Sequence, residues 1–212
     1  GVNQMDEPGK TLYELATPGT NSYGDKYKYS RKLIQFLKYY GIDGLCFNPE
    51  GYWGYTVYSR FIPFLAECHK IAKELNHPFH VDWYAFVTNT GQLNDNGCRL
   101  TTNNNNWFHH AATDQPVTDV YFLNYNWSES GLKESVNTAK SHGRSTFDVY
   151  AGFDMQGRGY GKNGNAGWSA LMRQPVSIVV WGAHDRNQLY VSSTEGGQSD
   201  YAVQNEYQKK QE

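Results

Sequence analysis

The feature that most constrains the fold is a repeated unit, in which a short apolar run is followed by a segment of helical periodicity. Runs of strand character begin near positions 42, 79, 118, 146 and 176. Helical segments lie between them, such as "YSRFIPFLAECHKIAKELN", whose apolar residues recur at the spacing of an amphipathic helix. Alternating strands and helices predict parallel strands joined by helical crossovers, which is an α/β fold.

Within this class, the pattern favours a (β/α)8 barrel of the TIM type. No strand is followed by a glycine-rich phosphate fingerprint, which disfavours a dinucleotide-binding fold. A complete barrel needs about 250 residues, whereas this chain has 212 and shows five strands. We therefore expect one barrel-type domain over residues 1–212, as a piece of a longer protein, with its first strands upstream or within residues 1–26.

Composition narrows the class of ligand. The chain has 19 Lys and Arg against 21 Asp and Glu, so no strong field attracts nucleic acid or an anionic membrane, and no apolar run is long enough for membrane insertion. Aromatic residues reach 16%, with 17 Tyr and 6 Trp. A chain rich in Tyr, Trp and Asn but poor in charge suits neutral polar ligands, of which sugars are the obvious class.

Cysteine and histidine give little sign of a metal site. Cys46, Cys68 and Cys98 form no CxxC pair, so neither a disulfide framework nor a zinc site is indicated. Cys46 is predicted to be a small core residue. His109 and His110 lack acidic residues at ligand spacing and are interpreted as part of a polar loop.

The predicted strands end in acids, amides and aromatics, where a barrel carries its functional face. These residues are Asn48, Glu50, Asp82, Tyr84, Asn124, Trp127, Asp154, Arg158 and Trp181. Side chains alternate along a strand, so Asn48 and Glu50 should share a face, roughly 6 to 7 Å apart. Most glycosidases need two carboxylates, but here one partner is an amide. This pair suits a reaction in which the 2-acetamido group of the substrate is the nucleophile, with Glu50 as acid and base and Asn48 as its orienter.

Four stretches in order along the chain carry a family resemblance. "YYGIDGLCFNPE" resembles the "yyGFDGW-x-IN-x-E" strand motif of glycoside hydrolase family 85, the endo-β-N-acetylglucosaminidases. "VDWYAFVTNTGQL", "DVYFLNYNW" and "DVYAGFDMQGRG" resemble the later motifs of the same family. The first stretch is also similar to the "DGxDxDxE" motif of family 18 chitinases, with Cys46 and Asn48 in place of acids.

The resemblance implies roles for individual residues. Glu50 would be the general acid and base, Asn48 would position the acetamide, and Tyr84 would lie near the reacting sugar. Trp127 would stack on the substrate. The substrate-binding residues expected beside it are Asn124, Trp53, Asp154, Arg158 and Trp181.

Several positions leave alternatives open. Trp53 is either a subsite wall, which we favour, or loop packing, and Asp82 is either buried support or catalytic. Asp154 and Arg158 form either a structural ion pair or part of the site. Residues 103–106 are expected to be a flexible loop tip, with a sugar-binding loop as the alternative.

The resemblance implies retaining hydrolysis of the GlcNAc-β-1,4-GlcNAc bond in the core of N-glycans, through an oxazolinium ion. No cofactor or metal is expected, because the substrate supplies the nucleophile. The partners would be N-glycans or glycoproteins, and the location secreted or cell-surface, although the family has cytosolic members. Two alternatives are a family 18-like chitinase or endoglycosidase and a barrel that binds glycans without cleaving them.

Overall fold

In a computed structural model, the chain folds around a five-stranded parallel sheet; the structure describes residues 7–51, 53–93, 97–154 and 167–182. Its strands are β1 (Gly44–Phe47), β2 (His80–Tyr84), β5 (Val120–Leu123), β6 (Val149–Asp154) and β7 (Ser177–Trp181), in that spatial order. The short strands β3 (His109–His110) and β4 (Gln115–Pro116) form a separate antiparallel pair. The order of neighbours follows the chain, as it does in a (β/α)8 barrel, and this confirms the predicted fold class.

The described α-helices precede the first strand or connect later ones. They are α1 (Glu7–Leu15), α2 (Ser30–Tyr40), α3 (Gly54–Glu74), α4 (Glu129–Ser141) and α5 (Gly167–Leu171). As predicted, α2 ends at Gly41, whose left-handed backbone has a φ of 66°. The Ser128 hydroxyl caps α4 by accepting a hydrogen bond from the Gly131 N–H at 3.1 Å. Among the described residues, no helix is long and apolar enough to cross a membrane.

The region before β1 differs from the prediction. A first strand was allowed within residues 1–26, but residues 7–15 form α1. Within the described part of this region, strand-like pairing is limited to an isolated bridge between Pro18 and Tyr27.

The main core lies between the sheet and the helices. Phe47, Trp83 and Tyr121 lie side by side in register on β1, β2 and β5, and all three are buried. The Phe61 ring of α3 packs edge-on against Phe47, with ring centroids 5.1 Å apart. One face of the sheet, called here the helix face, is therefore sealed by apolar packing.

The stretch between β2 and β5 is ordered by its asparagines. The Asn104 side chain accepts from the Thr101 N–H at 2.7 Å and donates to the Arg99 carbonyl at 3.0 Å. The Asn106 amide donates to the Tyr58 hydroxyl at 2.8 Å. The prediction of a flexible tip at residues 103–106 is therefore wrong, because these amides replace backbone partners inside an irregular segment.

Candidate active site

A cavity of about 520 Å³ opens on the other face of the sheet, called here the cavity face. It is lined by residues at or near the carboxyl ends of all five parallel strands: Cys46, Asn48, Glu50, Tyr84, Phe122, Tyr125, Asp154 and Trp181. The volume lies within the roughly 300–1,000 Å³ typical of small-molecule sites. The position is the one at which barrels carry their active sites.

Asn48 and Glu50 both reach this cavity, as their spacing predicted. Strand β1 ends at Phe47, so the pair lies in the loop that follows. Pro49 is buried between them, and its carbonyl accepts a hydrogen bond from the Gly51 N–H at 2.9 Å. The loop therefore keeps the two-residue alternation of the strand after its ladder has ended.

Tyr84 is the last residue of β2, and its side chain is almost completely buried at the cavity. Its ring packs edge-on against Phe122, with centroids 5.0 Å apart, and lies nearly parallel to Phe86. The Asn124 amide nitrogen donates to the Tyr84 hydroxyl at 2.9 Å. Asn124, which was predicted to bind substrate, is absent from the described lining and contacts a lining residue, Tyr84, instead.

Asp154 and Trp181 are register partners at the ends of β6 and β7, and both line the cavity. Arg158, which was expected to form an ion pair with Asp154 or to belong to the site, lies outside the described residues. The described lining contains two carboxylates and no Lys or Arg. Such a lining disfavours phosphate and other anionic ligands and is compatible with a neutral sugar.

Cys46 also faces the cavity, which corrects the prediction that it is a core residue. The reason is alternation: Phe47 points to the helices, so Cys46 points to the opposite face. Partial burial is the larger cause that raises the pKa of the Cys46 thiol, and the nearby charge of Asp82 raises it further. The thiol is therefore neutral at pH 7 and is not an activated nucleophile.

Asp82 is the register partner of Cys46 on β2 and lies deeper on the cavity face. Its side chain is half-buried. Burial is the larger cause that raises the pKa of Asp82, and the charge of Asp119 raises it further. It is absent from the described cavity lining. Of the two roles considered for Asp82, this position favours support beneath the site.

Two predicted substrate contacts are placed elsewhere. Trp53 is fully buried on the helix face, where its ring packs against Trp83 and Trp107. Trp127 is also fully buried, and its indole N–H donates to the Gly152 carbonyl at 3.0 Å. The predictions that these rings form a subsite wall and a stacking platform are therefore wrong, because both rings belong to the packed interior.

The sequence prediction missed the aromatic floor of the cavity, formed by Phe122 and Tyr125. Their rings contact each other edge-on, with centroids 5.8 Å apart. Gly152 leaves room for them: an added Cβ would lie 2.7 Å from the Phe122 ring and 2.9 Å from the Tyr125 ring. A usable signal was present, since Phe122 is two residues before Asn124 and therefore on the same face.

The histidines lie away from this cavity. His109 is buried and contacts Asp114 through Nε2 at 2.9 Å, while His110 contacts Thr113. Both belong to the β3–β4 hairpin rather than to a plain polar loop. Among the described residues, no group of three or more His, Cys, Asp or Glu side chains is arranged to hold a metal ion.

Comparison with known families decides between the two resemblances of the first motif. The sequence profile of glycosyl hydrolase family 85 matches residues 5–206. The chain belongs to glycoside hydrolase family 85. The match includes every described residue of the cavity lining, and it favours the family 85 interpretation over the family 18 alternative.

Curated relatives carry the corresponding activity in their names. Cytosolic endo-beta-N-acetylglucosaminidase 1 of Arabidopsis thaliana is 27% identical over an alignment 212 residues long, which covers 97% of this chain and 28% of that protein. The cytosolic endo-beta-N-acetylglucosaminidase of Danio rerio is 31% identical over 128 residues, which are 60% of this chain and 17% of that protein. The chain thus spans less than a third of the length of these relatives. Their names give no support to the predicted secreted or cell-surface location.

A solved structure supports the architecture. The glycoside hydrolase domain of Endo-D from Streptococcus pneumoniae R6 superposes with a TM-score of 0.71 at 22% identity. The match covers 93% of this chain and 34% of that one. At this identity the likeness shows the fold, and it agrees with a family 85 barrel.

Proposed function

We propose that this chain carries the catalytic centre of an endo-β-N-acetylglucosaminidase, with residues 1–212 acting as one barrel-type domain. The bond cleaved is the GlcNAc-β-1,4-GlcNAc bond in the core of N-glycans. The observation that carries the proposal is that Asn48 and Glu50 line one cavity at the carboxyl ends of parallel strands. Membership of family 85 and the names of the curated relatives support it.

The proposed reaction has two steps. Glu50 donates a proton to the departing glycosidic oxygen while Asn48 holds the acetamide, whose carbonyl oxygen attacks the anomeric carbon. An oxazolinium ion and a free 4-hydroxyl result. Glu50, now a carboxylate, then removes a proton from water, which opens the ring with net retention. Tyr84, Asp154 and Trp181 surround the sugar, and no cofactor takes part because the nucleophile belongs to the substrate.

The Asn48 and Glu50 pair is tested by substitution in the full-length protein. Glu50→Gln should lower kcat by roughly 10²- to 10⁴-fold because it removes the acid and base, and Asn48→Ala should cause a comparable loss. Glu14→Gln and Asn137→Ala, at exposed sites on α1 and α4, are the matched controls. Mass spectrometry should find one GlcNAc left on the glycoprotein. Small GlcNAc oligomers would indicate a chitinase, and binding without any product would indicate a non-catalytic barrel.

Asp154 requires a separate test because it brings a second carboxylate into the cavity. In a two-carboxylate mechanism it would be the nucleophile, and the acetamide would be dispensable. We expect the wild type to leave uncleaved a substrate whose acetamide is replaced by a hydroxyl group. We also expect Asp154→Asn to lower kcat/KM about tenfold, as the loss of one charged hydrogen bond does. Cleavage of the hydroxyl substrate would contradict the proposed mechanism.

A further inference from the structure

The Asn124 side chain is held at both ends of its amide. Its Oδ1 accepts a hydrogen bond from the Asn126 N–H at 3.1 Å, and its Nδ2 donates to the Tyr84 hydroxyl at 2.9 Å. A backbone N–H can only donate, so the end that faces Asn126 must be the oxygen. The amide orientation is thereby determined, and the group that faces Tyr84 is the NH₂ donor.

The backbone of Asn124 is also anchored. Its N–H donates to the Gly97 carbonyl at 2.8 Å. Gly97 has a φ of +54°, and a Cβ there would lie within 1.9 Å of the Ala85 carbonyl oxygen. Asn124 is therefore held between the ends of β2 and β5 by main-chain contacts that do not depend on any ligand.

The Tyr84 ring is held equally firmly. It packs against Phe122 and Phe86 and is only 5% exposed, with its edge at the cavity. A phenol carries one proton, and the Asn124 NH₂ group cannot accept it. The Tyr84 O–H must therefore be directed at an acceptor other than Asn124.

We propose that Asn124 is a positioning residue that makes Tyr84 a hydrogen-bond donor toward the reaction cavity. The acceptor during turnover is an oxygen of the bound sugar or of Glu50. This inference rests on the proposed function, because it assumes that an acetamido sugar occupies the cavity. It gives Asn124 a role distinct from direct substrate contact: it selects the direction of the proton on Tyr84.

The test is a double-mutant cycle for kcat/KM in the full-length protein. Asn124→Ala should lower kcat/KM about tenfold when Tyr84 is present, because a coupled pair loses its interaction. In the Tyr84→Phe background, the same change should alter kcat/KM by less than about twofold. A merely structural role would give the same loss in both backgrounds and would overturn the proposal. Asn137→Ala, on the exposed surface of α4, is the control.

A second variant reverses the direction of the hydrogen bond and keeps the shape of the side chain. Asn124→Asp presents a carboxylate, which accepts a hydrogen bond from the Tyr84 hydroxyl and so turns this O–H away from the cavity. Its kcat/KM at pH 7 should be at least about tenfold below that of Asn124→Ala, and this extra loss should disappear in the Tyr84→Phe background. An extra loss that persists without the phenol would contradict the proposal, because the charge would then act on another group.

Failure of the inference and failure of the proposed function are distinguishable. If the wild type releases glycan but the cycle shows no coupling, Asn124 has no positioning role and the function stands. If the wild type releases none, calorimetric binding of a thiazoline analogue of the oxazoline replaces kcat/KM in the same cycle. Binding with the predicted coupling then supports the inference alone, whereas no binding to the wild type overturns both.

Discussion

The two faces of the sheet are built from the same strands by opposite rules. On the helix face, Phe47, Trp83 and Tyr121 form a buried row packed against α3. On the cavity face, the carboxyl ends of β1, β6 and β7 carry a thiol, a carboxylate and a half-exposed indole, at Cys46, Asp154 and Trp181. Adjacent residues in the chain therefore experience different environments.

This difference indicates where stability and function are located. Each large apolar side chain buried on the helix face stabilises the fold by roughly 1.5–3 kcal/mol. The cavity face instead holds Asp82, whose raised pKa shows that its charge is unfavourable there. Sites that bind and react commonly retain such unfavourable groups, while the rest of the fold compensates.

The largest stability effect should separate two tryptophans. Trp83→Ala removes a fully buried ring from the helix face and should lower the free energy of unfolding by about 3–5 kcal/mol. Trp181→Ala is the same change at a side chain that is 52% exposed on the cavity face, and it should cost less than about 1 kcal/mol. Denaturant unfolding measures both. Equal losses would contradict the distinction between the two faces.

An intermediate effect should follow from filling the space beside the aromatic floor. In Gly152→Ala the added methyl group would lie 2.5 Å from the Leu123 carbonyl oxygen, besides crowding both floor rings. Overpacking of this kind costs about 1–3 kcal/mol of unfolding free energy and should also weaken sugar binding. Gly19→Ala, where the nearest atom is 3.7 Å away, is the control. Unchanged binding in Gly152→Ala would show that Phe122 and Tyr125 do not shape the site.

The smallest effect should have the opposite sign. The pKa of Asp82 is raised in the folded chain, so its charged form destabilises the fold above that pKa, and the penalty disappears as pH falls below about 4. Asp82→Asn should therefore raise the unfolding free energy at pH 7 by up to about 1 kcal/mol, limited by solvent screening. The gain should vanish near pH 3. A loss of stability in Asp82→Asn at pH 7 would contradict the argument.

Much of the fold was predictable because local rules determine it. The stop of α2 at Gly41 and the start of α4 at Ser128 follow from backbone freedom and capping. The cavity positions of Asn48, Glu50 and Tyr84 follow from alternation along strands, combined with the place where parallel strands end.

Most of the incorrect predictions concern residues that lie beyond the ends of the strands. Beyond β1 and β5, no period dictates which way Trp53 or Trp127 points, and tertiary packing buried both rings. Tyr125 faces the cavity for the same reason, through a turn that the sequence did not reveal. The order of residues 103–106 was also difficult to predict, because it depends in part on a partner that is distant in sequence, the Tyr58 hydroxyl that accepts from the Asn106 amide.

The sorting of tryptophans has an optical consequence. Of the five whose side chains the structure describes, Trp53, Trp83, Trp107 and Trp127 are sealed from water, whereas Trp181 is half-exposed at the cavity. A dissolved quencher such as acrylamide should therefore reach Trp181 far more readily than the other four. The long-wavelength emission of Trp181 should shift when a ligand fills the cavity. The chain thus contains a built-in emission probe of occupancy, beside a blue-emitting interior that reports only on folding.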